Sequence, residues 1–292
     1  MINFLKYKSI CFVLSISFLI TGVIAYFYLG GFKYHIDFAG GAEVNVSFEK
    51  PIDIGILRKA ISGKGWKDTV IQSIGKSGKD FIVRIGGATA EGLEEKFRNA
   101  IDKATPGNTM TVNHIDWVGA AVGKDMKKNA IIAVLLSLLL ILLYVAVRSK
   151  YGYAFGAVAA IAHDMLAVLI FLLIFREPIS LSVLAAILAI LGYSLNDTIV
   201  IFNRIKENVK KMRGESLEKI VNTSINQSFK RTLLTSFSTL LAVGSFFVLG
   251  GETLRGFSFA MLIGIVIGTY SSIYVASPVM MFFGVSSKKE KS

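Results

Sequence analysis

The chain has 292 residues, 53% of them hydrophobic, and carries 32 Lys and Arg against 20 Asp and Glu for a formal net charge of +12. A mean hydropathy of +0.59 and several apolar runs longer than about 18 residues exclude an ordinary soluble domain and define a helical integral membrane protein. The basic residues cluster just outside the apolar runs, so the charge reports topology and excludes a nucleic-acid footprint.

Lys6 and Lys8 precede an apolar run at residues 9–29 that ends in Tyr26-Phe27-Tyr28. It is longer than the apolar region of about 7 to 15 residues in a cleavable signal, so a retained transmembrane helix is expected. Cys11, the one cysteine, lies inside it, which excludes an internal disulfide. Residues 30–125 are polar and form the expected external domain. Period-two alternation predicts strands at 43–48, 69–74, 80–85 and 109–117, and helical periodicity predicts helices at 51–62 and 89–104. Gly63 stops the first of these helices, Pro106-Gly107 follows the second, and Gly75-Lys76-Ser77-Gly78 turns the middle hairpin. The order β-α-β-β-α-β predicts a ferredoxin-like α+β domain. It holds no Cys cluster or phosphate loop, and its His114 reads as structural.

Five further apolar segments, at 129–147, 153–175, 181–202, 233–249 and 257–283, bring the expected membrane helices to six, with 129–283 as a five-helix membrane domain. Lys6, Lys8, Arg148, Lys150, the basic 204–230 connection and the tail at 284–292, with Lys288, Lys289 and Lys291, fall on one side; the opposite short loops hold only Arg176 and Arg255. By the positive-inside rule both termini are cytoplasmic and residues 30–125 external. Within 204–228, Ile205, Val209, Met212, Leu217, Ile220, Val221 and Ile225 recur near helical spacing. That pattern fits an amphipathic connection along the inner membrane surface or a partner, and equally a set of solvated turns.

The fourth segment places Asn196 and Asp197 in an apolar helix. An ionisable group there costs about 2.5 to 3.5 kcal/mol on the insertion scale, so it faces a partner helix or a water-filled path. Gly192, Tyr193, Asn196, Asp197, Val200, Asn203 and Arg204 are read as a protein-facing stripe, with Leu195, Ile199 and Phe202 toward lipid. On the fifth segment Ser228, Arg231, Thr235, Ser238 and Thr239 form a second stripe, which brings Arg231 toward Asp197. His163 and Asp164 in the third segment are adjacent and point about 100° apart, which suits either an interhelical contact or a proton path. Gly264 and Gly268 form a small-xxx-small packing pair. With no triad, zinc spacing, Walker loop or dinucleotide fingerprint, no metal, cofactor or enzymatic role is expected, and any work draws on an ion gradient or a partner.

Gly192-Tyr193-Ser194-Leu195-Asn196-Asp197-Thr198-Ile199-Val200, Ile36-Asp37-Phe38-Ala39-Gly40-Gly41 and Arg231-Thr232 resemble the SecF family of the bacterial Sec protein-export machinery, in the resistance-nodulation-division superfamily. The resemblance covers essentially the whole chain; His35 and Ala39 stand where Gly and Thr are more usual. It implies a six-helix half-unit in the bacterial inner membrane that pairs with SecD and acts on unfolded polypeptides leaving the SecYEG channel, driven by the proton gradient. YajC and YidC are further partners it admits. It also implies Asp197 as the proton-linked carboxylate, with Asn196 beside it and Arg231 as its partner; His163 and Asp164 as secondary candidates; and Asp37, Phe38, Gly40 and Gly41 as an external-domain motif. The rival readings are half of a small-molecule or lipid exporter and a non-transporting scaffold for SecYEG assembly.

Overall fold

The computed structural model describes residues 1–62, 66–75, 77–88, 92–148 and 151–283. Gly63, Lys76, the helix start expected at Thr89, Lys150 and the basic tail at 284–292 lie outside the described residues. The chain divides into two compact units. One comprises residues 1–33, 133–177 and 182 onward, and the other Tyr34–Ile132 with Pro178–Leu181.

One turn of 3-10 helix, Phe4–Tyr7, runs into α1 (Lys8–Tyr28). Gly30 and Gly31 follow with φ of 72° and 88°, the left-handed conformation that ends helices at low cost for glycine. The Arg176 guanidinium donates to Leu29 O and Gly31 O at 2.9 and 3.0 Å, placing a cation on the helix's final carbonyls.

The second unit opens with a short helix, α2 (Ile36–Ala39), which the alternation pattern does not signal. It continues through β1 (Gly41–Phe48), α3 (Ile54–Ser62), β2 (Lys67–Ile74), β3 (Asp80–Gly86), α4 (Leu93–Ala104) and β4 (Met110–Val118). The sheet order is β2-β3-β1-β4 with every neighbouring pair antiparallel, the ferredoxin-like arrangement expected from the element order. Strand periodicity sends Ala42, Val44, Val46 and Phe48 to one face, where they bury with Leu57 and Ile61 of α3 and Phe97 and Ile101 of α4. Each large apolar side chain so buried contributes about 1.5 to 3 kcal/mol; Val44 has no exposed surface, so a carboxylate in its place would be buried in this core. The paired glycines at the start of β1, Gly40 just before it and Gly41 its first residue, are steric requirements. A Cβ on Gly40 would lie 2.7 Å from Ala120 Cα, and one on Gly41 2.4 Å from Ile85 O.

The remaining helices are α5 (Ala120–Arg148), α6 (Tyr151–Ile174), α7 (Leu181–Lys211), α8 (Leu217–Leu249), α9 (Gly251–Ser271) and α10 (Ser277–Phe282), the last two joined through a π turn, Ser272–Ala276. Among the described residues six helices are long and apolar enough to cross a membrane. The π turn has a local cause: Pro278 has no N–H to donate one turn back and its ring crowds that carbonyl, and the wider turn relieves both.

The amphipathic stretch at 204–228 is not a separate connecting element. α7 runs to Lys211, α8 starts at Leu217, and only residues 212–216 lie between them. Its apolar residues Ile205, Val221 and Ile225 bury against Phe4, Leu5 and Tyr153, so the pattern records packing on the chain's own helices. The N-terminal turn is fastened to α8 by Asn222 and Asn226, whose amides donate to Ile2 O at 3.0 and 2.7 Å. The Phe4 N–H donates to Asn222 Oδ1 at 2.8 Å.

Candidate functional site

The buried face of α7 carries Ile190, Leu191, Ser194, Asp197, Thr198, Ile201 and Phe202. Asp197 is 3% exposed, which satisfies the expectation that it faces protein. The rest of the expected stripe is rotated. Gly192, Asn196 and Asn203 are exposed, whereas Phe202, assigned to lipid, is buried with its ring 5.1 Å from that of Tyr153. On α8 the buried hydroxyls are Ser224, Ser228, Thr232 and Ser236, while Arg231, Thr235 and Ser238 are exposed. Anchoring the phase on Arg231 shifts the face by one residue, about 100°. Thr235 and Ser238 instead donate to carbonyls of their own helix, Arg231 O at 3.1 Å and Leu234 O at 2.8 Å.

The site that results is a layer of hydroxyls around two carboxylates. Asp197 is hydrogen-bonded to the Ser236 hydroxyl and lies in the field of the Arg231 guanidinium, with no ion-pair contact between them among the described residues. Ser236 Oγ is 2.7 Å from Thr269 Oγ1 of α9, and Thr269 in turn reaches Ile265 O at 2.9 Å. Each hydroxyl has one proton and two lone pairs, so this chain serves either state of the carboxyl. With Asp197 ionised, Thr269 donates to Ser236 and Ser236 to the carboxylate. With Asp197 protonated, those two donations reverse, Asp197 to Ser236 and Ser236 to Thr269, and Thr269 gives its proton to the Ile265 carbonyl instead. Asp197 Oδ2 and Thr232 Oγ1 are buried without a hydrogen-bond partner among the described residues.

Asp164 of α6 is wholly buried, and the Ser194 hydroxyl donates to its Oδ2. His163 Nδ1 lies 3.3 Å from its other oxygen. One turn along α7 from Ser194, Thr198 Oγ1 is 3.0 Å from Ser272 Oγ at the π turn. Gly264 and Gly268 make the approach of α9 possible. A Cβ on Gly264 would lie 2.3 Å from Ile190 Cδ1, and one on Gly268 3.1 Å from Ser194 Cβ and 3.6 Å from Asp164 Oδ2. The structure thus brings Asp197 together with Arg231's field, and Asp164 with His163. Asn196 is on the exposed side of the helix. Sequence reasoning passed over Ser194, Ser236, Thr269 and Ser272, although Ser194, three residues before Asp197, shares its helical face.

Asp37, Phe38, Gly40 and Gly41 belong to the other unit, where Phe38 is buried. Asp37 Oδ2 accepts the Leu181 N–H at 2.9 Å. His35 sits between two carboxylates: its Nδ1 is 3.1 Å from Asp37 Oδ2, an ionic contact off the ideal hydrogen-bond direction, and its Nε2 is 3.0 Å from Glu43 Oε2. Arg84 Nε donates to the same Glu43 oxygen at 2.6 Å. Burial pushes the His35 imidazolium down, but Asp37 and Glu43 outweigh it and raise the group to about 9. Burial likewise pushes both carboxyls up, yet contact with His35, joined by the Leu181 N–H for Asp37 and by Arg84 for Glu43, holds them below the usual carboxylate range.

These features define a multi-pass helical membrane protein with a ferredoxin-like domain after its first span and two carboxylates buried among hydroxyls in its bundle. The chain belongs to the SecD/SecF family, its residues 98–286 matching the family described as "Protein export membrane protein SecD/SecF, C-terminal". It is 37% identical over 287 residues to the protein translocase subunit SecF of Pseudomonas aeruginosa, covering 98% of this chain and 93% of that one. To the corresponding subunit of Escherichia coli O157:H7 it is 38% identical over 259 residues, covering 87% and 80%. A crystal structure of SecDF, a translocon-associated membrane protein from Thermus, matches with a TM-score of 0.85 and 34% identity over 97% of this chain. The chain spans 38% of the length of that SecDF.

Proposed function

We propose that this chain is the SecF subunit of a Sec protein-export machinery and pairs with a SecD-like chain in the bacterial inner membrane. In this reading it uses the proton gradient to promote late steps in the translocation of unfolded polypeptides from SecYEG, with both termini cytoplasmic and the ferredoxin-like domain outside. The carrying observation is Asp197: a buried carboxyl in a membrane-length helix, bonded to a hydroxyl chain that serves its protonated and ionised forms alike. Intramembrane carboxyls with such surroundings are the usual carriers of proton coupling. The exposed polar residues Asn196 on α7 and Arg231 on α8 support the pairing, because an amide and a guanidinium in a membrane-length helix call for a protein neighbour rather than lipid.

The test is Asp197→Asn as the only copy in the cell, with membrane abundance and gradient-dependent export measured together. Asn keeps the size and a hydrogen-bonding oxygen but cannot titrate, so the protein accumulates, retains its partner and loses gradient-dependent export. Normal export with Asn at 197 would overturn proton coupling at this residue and leave the scaffold reading. Gentle solubilisation is expected to recover a SecD-like chain alongside; a stable monomer would remove the pairing.

A further inference from the structure

The first residue of α7, Leu181, carries an N–H with no partner inside its own helix. That partner is supplied by Asp37, 144 positions away in sequence, at 2.9 Å. A carboxylate there also meets the positive end of the helix dipole. The cap is itself held from behind. His35 contacts Asp37 and Glu43, and Glu43 pairs with Arg84, its registered neighbour across β1 and β3. The same short stretch is fastened a second time, where the His35 N–H donates to Ile179 O at 2.9 Å and Tyr34 bridges to Ile179. All of these groups, from the sheet to Leu181, lie in one compact unit.

We propose that Asp37 is a positioning residue that ties the sheet of the ferredoxin-like domain to the first turn of α7 and so couples that domain to Asp197. The inference rests on the proton-coupling reading of Asp197 and extends it. α7 is unbroken from Leu181 to Lys211, and Asp197 lies sixteen residues along it, about 24 Å at the helical rise. A continuous helix carries axial shift and rotation over that distance, so a carboxylate clasped to its first N–H links the domain to the helix on which the proton group rides. Local residues routinely cap helices; here the cap comes from the segment that feeds the sheet.

The experiment uses the full chain with its partner and compares Asp37→Ala, Asp37→Asn and His35→Gln with the parent at one fixed pH near neutrality. Amide exchange of the first turn of α7 is read by mass spectrometry, and gradient-dependent export is read in vesicles of the same preparations. Losing the cap is expected to cut protection at Leu181 about tenfold in Asp37→Ala, in line with the usual strength of a helix cap. Asp37→Asn, which keeps an acceptor oxygen but not the charge, falls between, and export declines in the same order. Unchanged protection in Asp37→Ala overturns the proposal. Lost protection with undiminished export also overturns it, making the cap purely structural; the reading of Asp197 then still stands provided that Asp197→Asn abolishes export. If Asp37→Ala does not accumulate, Asp37→Asn and His35→Gln decide on the same two readouts. Export that survives Asp197→Asn but falls in Asp37→Ala would instead fault the proton reading.

Discussion

The two units bury carboxylates in opposite ways. In the ferredoxin-like domain Asp37 and Glu43 are wrapped by His35, Arg84 and a helix N–H, so their charge is neutralised on the spot and held below the usual carboxylate range. In the bundle Asp164 and Asp197 meet mainly hydroxyls, with His163 beside the first and Arg231 acting on the second from an exposed position. Cations lock a carboxylate into one state, whereas hydroxyls turn their protons to suit either. A carboxyl that is to change its protonation state needs the second arrangement, and one that is to hold parts together needs the first.

The sharpest way to break this contrast is to remove a cation from the domain. Arg84→Leu leaves Glu43 with His35 alone and is expected to destabilise the domain by about 2 to 4 kcal/mol, below a fully buried pair losing its one partner, because both side chains keep some exposure. The chain's two tryptophans, Trp66 and Trp117, both lie in this domain, so their fluorescence during denaturant unfolding of the intact chain reports it. Asp197→Asn should shift the thermal unfolding of the helical part by less than about 1 kcal/mol, because the hydroxyl chain accommodates an amide. A larger loss there than in Arg84→Leu would invert the comparison.

Next in size is the helix contact that seats the bundle carboxyls. Gly264→Val drives a side chain into Ile190 and is expected to cost about 1 to 3 kcal/mol as overpacking. Gly192→Val, with nothing within 4 Å, is the neutral control in circular-dichroism melts.

Within the ferredoxin-like domain the pH dependence separates His35 from its two carboxylates by sign. His35 is raised from 6.5 to about 9, so its contribution to the domain is complete below pH 6.5 and lost as pH climbs through about 9. Asp37 and Glu43 are lowered from 3.8 and 4.5, so theirs is complete above those values and lost as pH falls through the depressed ones. The cluster therefore stabilises most between about pH 4.5 and 6.5, and tryptophan-detected midpoints should decline on the alkaline side. His35→Gln removes that alkaline decline and lowers the neutral midpoint; a decline that persists would assign it to another group.

The smallest effect tests the hydroxyl chain. Ser236→Ala removes the hydroxyl that bonds both Asp197 and Thr269, about 0.5 to 1.5 kcal/mol for each bond, and interrupts the donor reversal, so export should slow and its pH profile move while abundance holds. Ser236→Thr restores the hydroxyl and should restore the profile.

Much of this was legible in the sequence because it follows from periodicity and length. Six apolar runs set six helices long enough to span a membrane among the described residues, period-two alternation in 43–48 and 80–85 set inner strands, and Asp197 stood out because a carboxylate in an apolar run is costly wherever the helix faces. Phase was not legible. Polar residues on α7 and α8 suggested the faces through Asn196 and Arg231, but the buried faces run through Ser194 and Ser236. A small hydroxyl can bury by bonding one neighbour or its own helix, whereas an amide needs several partners at once, as buried Asn208 finds in Ser224 and Gln227. Tertiary structure alone also decided what Asp37 does. Its helix cap joins residues 144 apart, and no local pattern encodes a contact made only when the chain returns to the same place.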